Sequence, residues 1–186
     1  MFIMDTSRLS KTIEKALNAQ MTKEAHAAQV YLSYAAWAAD KGFDGVANFL
    51  FRHSGEERNH MMKIVEYILQ RNGKVTVIAI PAPDADPASL NNCFEKVFAS
   101  EVENTKEIYN LVDLSLEEKD WATWNFMQWF VKEQIEEESL ALSLMSKIRI
   151  AGGDKASGDA LYNIDRDLAN APDDAPSAED ATTANP

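Results

Sequence analysis

The sequence predicts an all-α protein. The expected architecture is a four-helix bundle with one long crossover between the second and third helices, plus a short fifth helix. Three observations predict it. The prolines lie at 81, 83, 87, 172, 176 and 186, so residues 1–80 and 88–171 are free to run as long helices. Four long segments carry apolar residues at spacings that alternate between three and four. The first-to-second and third-to-fourth links are short, whereas the middle link is long enough to run the length of a helix.

The first helix is expected over about 7–40, capped by Ser7 or Thr6 and followed by Gly42. Its stripe reads Ile13, Leu17, Glu24, Ala28, Tyr31, Ala35. The second spans about 44–72 and is closed by Gly73. Its stripe reads Val46, Leu50, His53, Glu57, His60, Ile64, Ile68. Residues 75–80 could form a strand, but no other segment offers a pairing partner, so an extended connection is expected. The third helix covers about 89–116, with Leu90, Phe94, Val97, Glu101, Ile108 and Val112 on its stripe. The fourth covers about 118–151, through Phe126, Phe130, Glu133/Gln134, Glu137, Ala141, Leu144 and Ile148. Gly152 and Gly153 end it, and an amphipathic fifth helix follows over about 157–169. One domain over 1–169 and an acidic, disordered tail over 170–186 are expected.

Each long stripe places a glutamate where a hydrophobic residue belongs: Glu24, Glu57, Glu101 and Glu137. A buried carboxylate without a partner is unfavourable by several kcal/mol or more. No Lys or Arg shares those stripes, so a cation from outside is implied. Glu57 and His60 form Glu-x-x-His, and residues i and i+3 share a helix face. Alone that match is weak. Its weight comes from the other three glutamates, each near the middle of its helix, because midpoints meet at one level in an antiparallel bundle. Four glutamates, a histidine and Gln134 then converge on one spot. Oxygen-rich ligands with one nitrogen suit iron or manganese and tolerate zinc. Glu57, central among them, is placed to bridge two ions. Glu133 and Glu137, with Glu56 and Glu136, could make a second, all-carboxylate site, whereas Glu138 reads as solvated.

Composition narrows the classes. The 186 residues carry a formal net charge of −12, which repels phosphate backbones and argues against a nucleic-acid partner. The lone cysteine, Cys93, excludes an internal disulfide and Cys-based zinc, haem or iron–sulfur sites. Neither a signal peptide nor a membrane span is evident, so the cytoplasm is the expected compartment. His53 reads as a packed or interface histidine, with a supporting role behind the metal ligands as the alternative, and His26 as exposed or at a subunit contact. Trp37, Trp121, Trp124 and Trp129 read as filling core or interfaces.

Three stretches carry a family resemblance. Ala19-Gln-Met-Thr-Lys-Glu24 with Tyr31, Phe49-Leu-Phe-Arg-His-Ser-Gly-Glu-Glu-Arg-Asn-His60, and Phe126-Met-Gln-Trp-Phe-Val-Lys-Glu-Gln-Ile-Glu-Glu-Glu138 resemble the non-haem bacterial ferritins. Leu161-Tyr-Asn-Ile-Asp-Arg-Asp-Leu168 is similar to their short fifth helix. The resemblance spans about residues 12–169. It implies a ferritin-like fold, ferroxidase activity with Fe2+ and O2 as substrates, and storage of ferric mineral in a hollow shell of twenty-four subunits. It implies a first iron on Glu24, Glu57 and His60, and a second on Glu57 and Glu101 with Gln134 and Glu137 nearby. A third iron site falls on Glu56, Glu133, Glu136 and Glu137, and Tyr31 matches a tyrosine beside the centre. Arg58 follows the bridging glutamate where bacterioferritins place a haem-ligating methionine, so no haem is expected. The fourth helix also lacks their second Glu-x-x-His.

Two rival classes remain. A di-iron oxygenase or peroxidase would use the same ligands but needs a substrate cavity and an electron donor. A non-enzymatic scaffolding bundle predicts no stoichiometric binding of ferrous iron.

Overall fold

The computed structural model describes residues 6–170; the tail expected from 170 onward lies, after Asn170, outside the described residues. Five α-helices occur, and no strand forms among the described residues. They are α1 (Lys11–Asp40), α2 (Asp44–Gln70), α3 (Leu90–Glu117), α4 (Trp121–Ile150) and α5 (Gly158–Ala169), with a single 3-10 turn at Gly153–Lys155.

Local chemistry sets the ends. Ser10, rather than Ser7 or Thr6, caps α1, its hydroxyl accepting from the Ile13 N–H at 3.1 Å. Ser7 instead bonds locally to Leu9, ordering the lead-in. After α2 the left-handed residue is Asn72 (φ 54°), and the Gly73 N–H returns to Ile68 O at 2.9 Å. A Cβ at Gly73 would meet the Leu9 side-chain end, Cδ1, at 2.8 Å, so Leu9 would have to shift to admit one. Ser89 caps α3. The expected start of α4 at 118 is too early: Glu117 ends α3, Lys119 turns left-handed (φ 58°), and Asp120 caps α4 from Thr123.

Two apolar clusters fix the chain directions. One gathers Tyr34 and Ala38 from the end of α1, Val46 and Leu50 from the start of α2, Phe94 from the start of α3 and Ile148 from the end of α4. The other gathers Leu17, Ile68, Ile108 and Met127 from the opposite ends. Successive helices in each hairpin are therefore antiparallel, and α3 runs parallel to α2. The crossover between α2 and α3 is extended, as expected. Its first residues lie along α1: Asn18 donates to Lys74 O at 2.9 Å and accepts from Thr76 N–H at 2.6 Å, while Glu14 accepts from Lys74 N–H at 2.9 Å.

α5 packs on the start of α2, where Phe43 supplies no side-chain cap. Asp165 takes that role, accepting from Val46 N–H at 2.9 Å. On α4 the core positions fall to Thr123 and Met127, whereas Phe126 is half-buried and stacks on Tyr67 at 3.9 Å. Trp37 is in the core, Trp124 and Trp129 are half-buried, and Trp121 is exposed on the single chain. Among the described residues no helix is long and apolar enough to cross a membrane.

Candidate metal centre

The two clusters do not merge. Between them lies a layer of buried polar side chains: Glu24 from α1, Glu57 and His60 from α2, Glu101 from α3, and Gln134 and Glu137 from α4. Each sits where the apolar stripe crosses the middle of its helix, so the packing that buries the leucines also buries these groups. Glu24 is fully buried, and Glu57 and Glu101 are each 2% exposed.

Ligand atoms of Glu24, Glu57 and His60 lie within 4.8 Å of one another. Glu57 Oε2 is 3.5 Å from His60 Nδ1 but is buried without a hydrogen-bond partner. A buried carboxylate oxygen left that way is strongly disfavoured, and a divalent cation is the partner that fits it. Tyr31 donates to Glu101 Oε1 at 2.7 Å. Gln134 Nε2 faces Glu101 O at 3.2 Å, Glu101 Oε2 at 3.3 Å and Thr105 Oγ1 at 3.2 Å.

The electrostatics record the crowding. Burial, then the charge of Glu57, raises the Glu24 carboxyl well above the usual carboxylate range. Burial, then Glu101, does the same to Glu57. Glu137 is pushed up to about 8 by burial and by Glu101 and Glu56. Burial pulls His60 down, but the bond to Glu133 and the nearby carboxylates outweigh it and leave the imidazole raised. Burial and Glu101 likewise raise the Tyr31 hydroxyl, keeping it a neutral donor. Without cations the raised carboxyls of Glu24, Glu57 and Glu137 favour their protonated forms, and cations would displace those protons.

A second group forms differently from the expected all-carboxylate one. His53, Glu56 and Glu137 bring ligand atoms within 4.8 Å of one another. His53 Nδ1 lies 2.6 Å from Glu56 Oε2 and 3.9 Å from Glu137 Oε2. His53 is thus more than a packed histidine, and its imidazole holds Glu56 below the usual range against the burial that would raise it. Glu133 turns towards His60, at 3.7 Å from Nε2. Glu136 is exposed and pairs with Lys132 at 3.4 Å, because three and four residues on from Glu133 lie different edges of the helix. Glu138, expected in solvent, is half-buried and accepts from Thr105 Oγ1. His26 is half-buried, with Nε2 unpartnered.

Sequence reasoning missed Gln20, Asn104 and Thr105, which bond to the layer. Gln20 left a trace, lying one turn before Glu24 at a polar break in the stripe. Asn104 is three residues after Glu101 and left none distinguishable from a surface asparagine.

A ferritin-like domain is matched over residues 14–151. A bacterial non-heme ferritin from Campylobacter jejuni is 38% identical over 162 residues, covering 87% of this chain and 95% of that protein. One from Escherichia coli is 36% identical over 156 residues, covering 84% and 92%. A solved open-pore ferritin from Archaeoglobus fulgidus superposes with a TM-score of 0.85 at 37% identity, covering 89% of this chain and 99% of that one. The chain belongs to the ferritin family, and within it resembles the non-haem bacterial ferritins.

Proposed function

We propose that the protein stores iron and is a ferroxidase. The observation that carries this reading is the orphaned Oε2 of Glu57 at the centre of a buried carboxylate layer. Relatives named as bacterial non-heme ferritins support the iron assignment. Two Fe2+ ions are the substrate. Glu24, Glu57 and His60 take the first, and Glu57 with Glu101, Gln134 and Glu137 takes the second. Two ferrous ions give one electron each to O2, which with two protons leaves as hydrogen peroxide, and two Fe3+ remain. Anionic oxygen ligands favour Fe3+ over Fe2+. Tyr31 holds Glu101 through its hydroxyl. His53, Glu56 and Glu137, with Glu133 and Glu136 nearby on α4, form a third iron site beside the centre. The product Fe3+ passes into the cavity of a homo-oligomeric shell of twenty-four chains in the cytoplasm.

The test is an aerobic Fe2+ titration followed by ultraviolet absorbance and by size analysis. Wild type should oxidise iron rapidly and retain it in a shell-sized particle. Glu57→Ala should lose the fast phase, and a variant that keeps it would refute the assignment.

One feature favours a second reading, an oxygenase or peroxidase acting on an organic or peroxide substrate. A cleft of about 310 Å³ between α3 and α4 is walled by Phe98, Tyr109, Ile135 and Leu142 and reaches Gln134 and Thr105. Purified protein that turns over O2 without accumulating mineral would favour that reading.

A further inference from the structure

We propose that Gln20 and Asn104 are positioning residues that tie the carboxylate of Glu24 to the amide of Gln134, so that the two halves of the centre respond to a cation as one unit. The inference rests on the metal-binding reading above. Gln20 is 3% exposed on α1, one turn before Glu24. Its Nε2 has two hydrogens and meets two acceptors, Glu24 Oε1 at 2.7 Å and Asn104 Oδ1 at 2.6 Å. Accepting that bond fixes which way the Asn104 amide faces. The Asn104 Nδ2 is then presented to Glu24 Oε2 and to Gln134 Oε1, each at 3.5 Å.

The result is a hydrogen-bonded path through three helices. It runs from Glu24 on α1 through Asn104 on α3 to Gln134 on α4, and Gln134 continues to Glu101. The two bonds from Gln20 are tight, whereas both bonds from Asn104 Nδ2 are at the outer limit of hydrogen bonding. Both oxygens of Glu24 face an amide nitrogen of this pair, so rotating that carboxylate onto a cation moves the partners of Gln134. Side chains that orient metal ligands in this way typically change affinity by about 10–100-fold when removed. A purely structural role would change stability alone.

The experiment is anaerobic Co2+ titration of the full chain, read by visible d–d absorption and by calorimetry, with melting of the metal-free protein in parallel. Wild type, Asn104→Ala, Gln20→Leu, the double variant and Glu57→Ala are compared. Glu57→Ala should lose the Co2+ band; if it does not, the metal-binding reading itself fails and takes this inference with it. Given that loss, Asn104→Ala should weaken Co2+ binding by about tenfold and alter the band shape. The double variant should bind no more weakly than Gln20→Leu, because both changes break one path. An unchanged isotherm and band in Asn104→Ala, or losses that simply multiply in the double variant, would overturn the proposal. Should Asn104→Ala fail to fold, Asn104→Leu decides the matter by the same criteria, since it is close in volume, adds no charge and lacks both donors.

Discussion

Glu137 shows what the centre does to the fold when no cation is present. Its carboxyl titrates near 4.5 in an unfolded chain and near 8 in the folded one. Between those values the folded state binds more protons, so stability falls as pH rises from about 4.5 through about 8 and then levels off. Glu24 and Glu57 shift in the same direction. Thermal melts of chelator-treated protein across this window should therefore decline with pH, and Glu137→Gln should flatten the decline. A melting temperature that rises with pH would contradict the upward shift of these three carboxyls. Because cations displace those protons, anaerobic Co2+ loading near pH 6.5 should release protons measurable in a pH-stat, and Glu57→Gln should release fewer. Tyr31→Phe removes the donor to Glu101, and oxidation kinetics that remain unaltered would retire any role for that hydroxyl in the reaction.

At the scale of elements, α5 is fixed by one close approach. A Cβ on Gly45 would lie 1.9 Å from the Asp165 carbonyl oxygen, so Gly45→Ala must push α5 away and strip the start of α2 of its cap. A loss of roughly 1–3 kcal/mol is expected, from chemical denaturation. Asp165→Ala should lose only the cap, about 1 kcal/mol. The helices themselves were legible because stripe and burial coincide. All seven stripe residues of α2, from Val46 to Ile68, are buried. The helix ends were less legible. Thr6, Ser7 and Ser10 offer similar capping chemistry in sequence, and only the folded chain puts Ser10 in that role, while the left-handed Lys119 sets the start of α4 at Asp120. Side chains that act across helices were the hardest to read. Asn104, Thr105 and the Glu138 carboxylate belong to the layer only because α3 and α4 are packed together. Glu133 and Glu136 show the converse, since the acidic run in α4 could not reveal which member turns inward.

Across the whole molecule, two apolar clusters supply the cohesion and the polar layer between them opposes it. Ligands that bind only the folded state stabilise it, by about 2.7 kcal/mol at a hundredfold excess over Kd. Saturating Co2+ should thus raise the melting temperature of wild type and leave that of Glu57→Gln nearly unmoved. Without metal, Glu57→Gln should be at least as stable as wild type, because a neutral amide replaces a carboxyl whose Oε2 has no partner. The most direct measurement is anomalous diffraction at the iron edge from crystals loaded with Fe2+ without oxygen. Expected are one peak bounded by Glu24, Glu57 and His60, a second bounded by Glu57, Glu101 and Gln134, and a third beside His53, Glu56 and Glu137. Peaks confined to exposed acids, with the interior empty and the carboxylates turned apart, would contradict it.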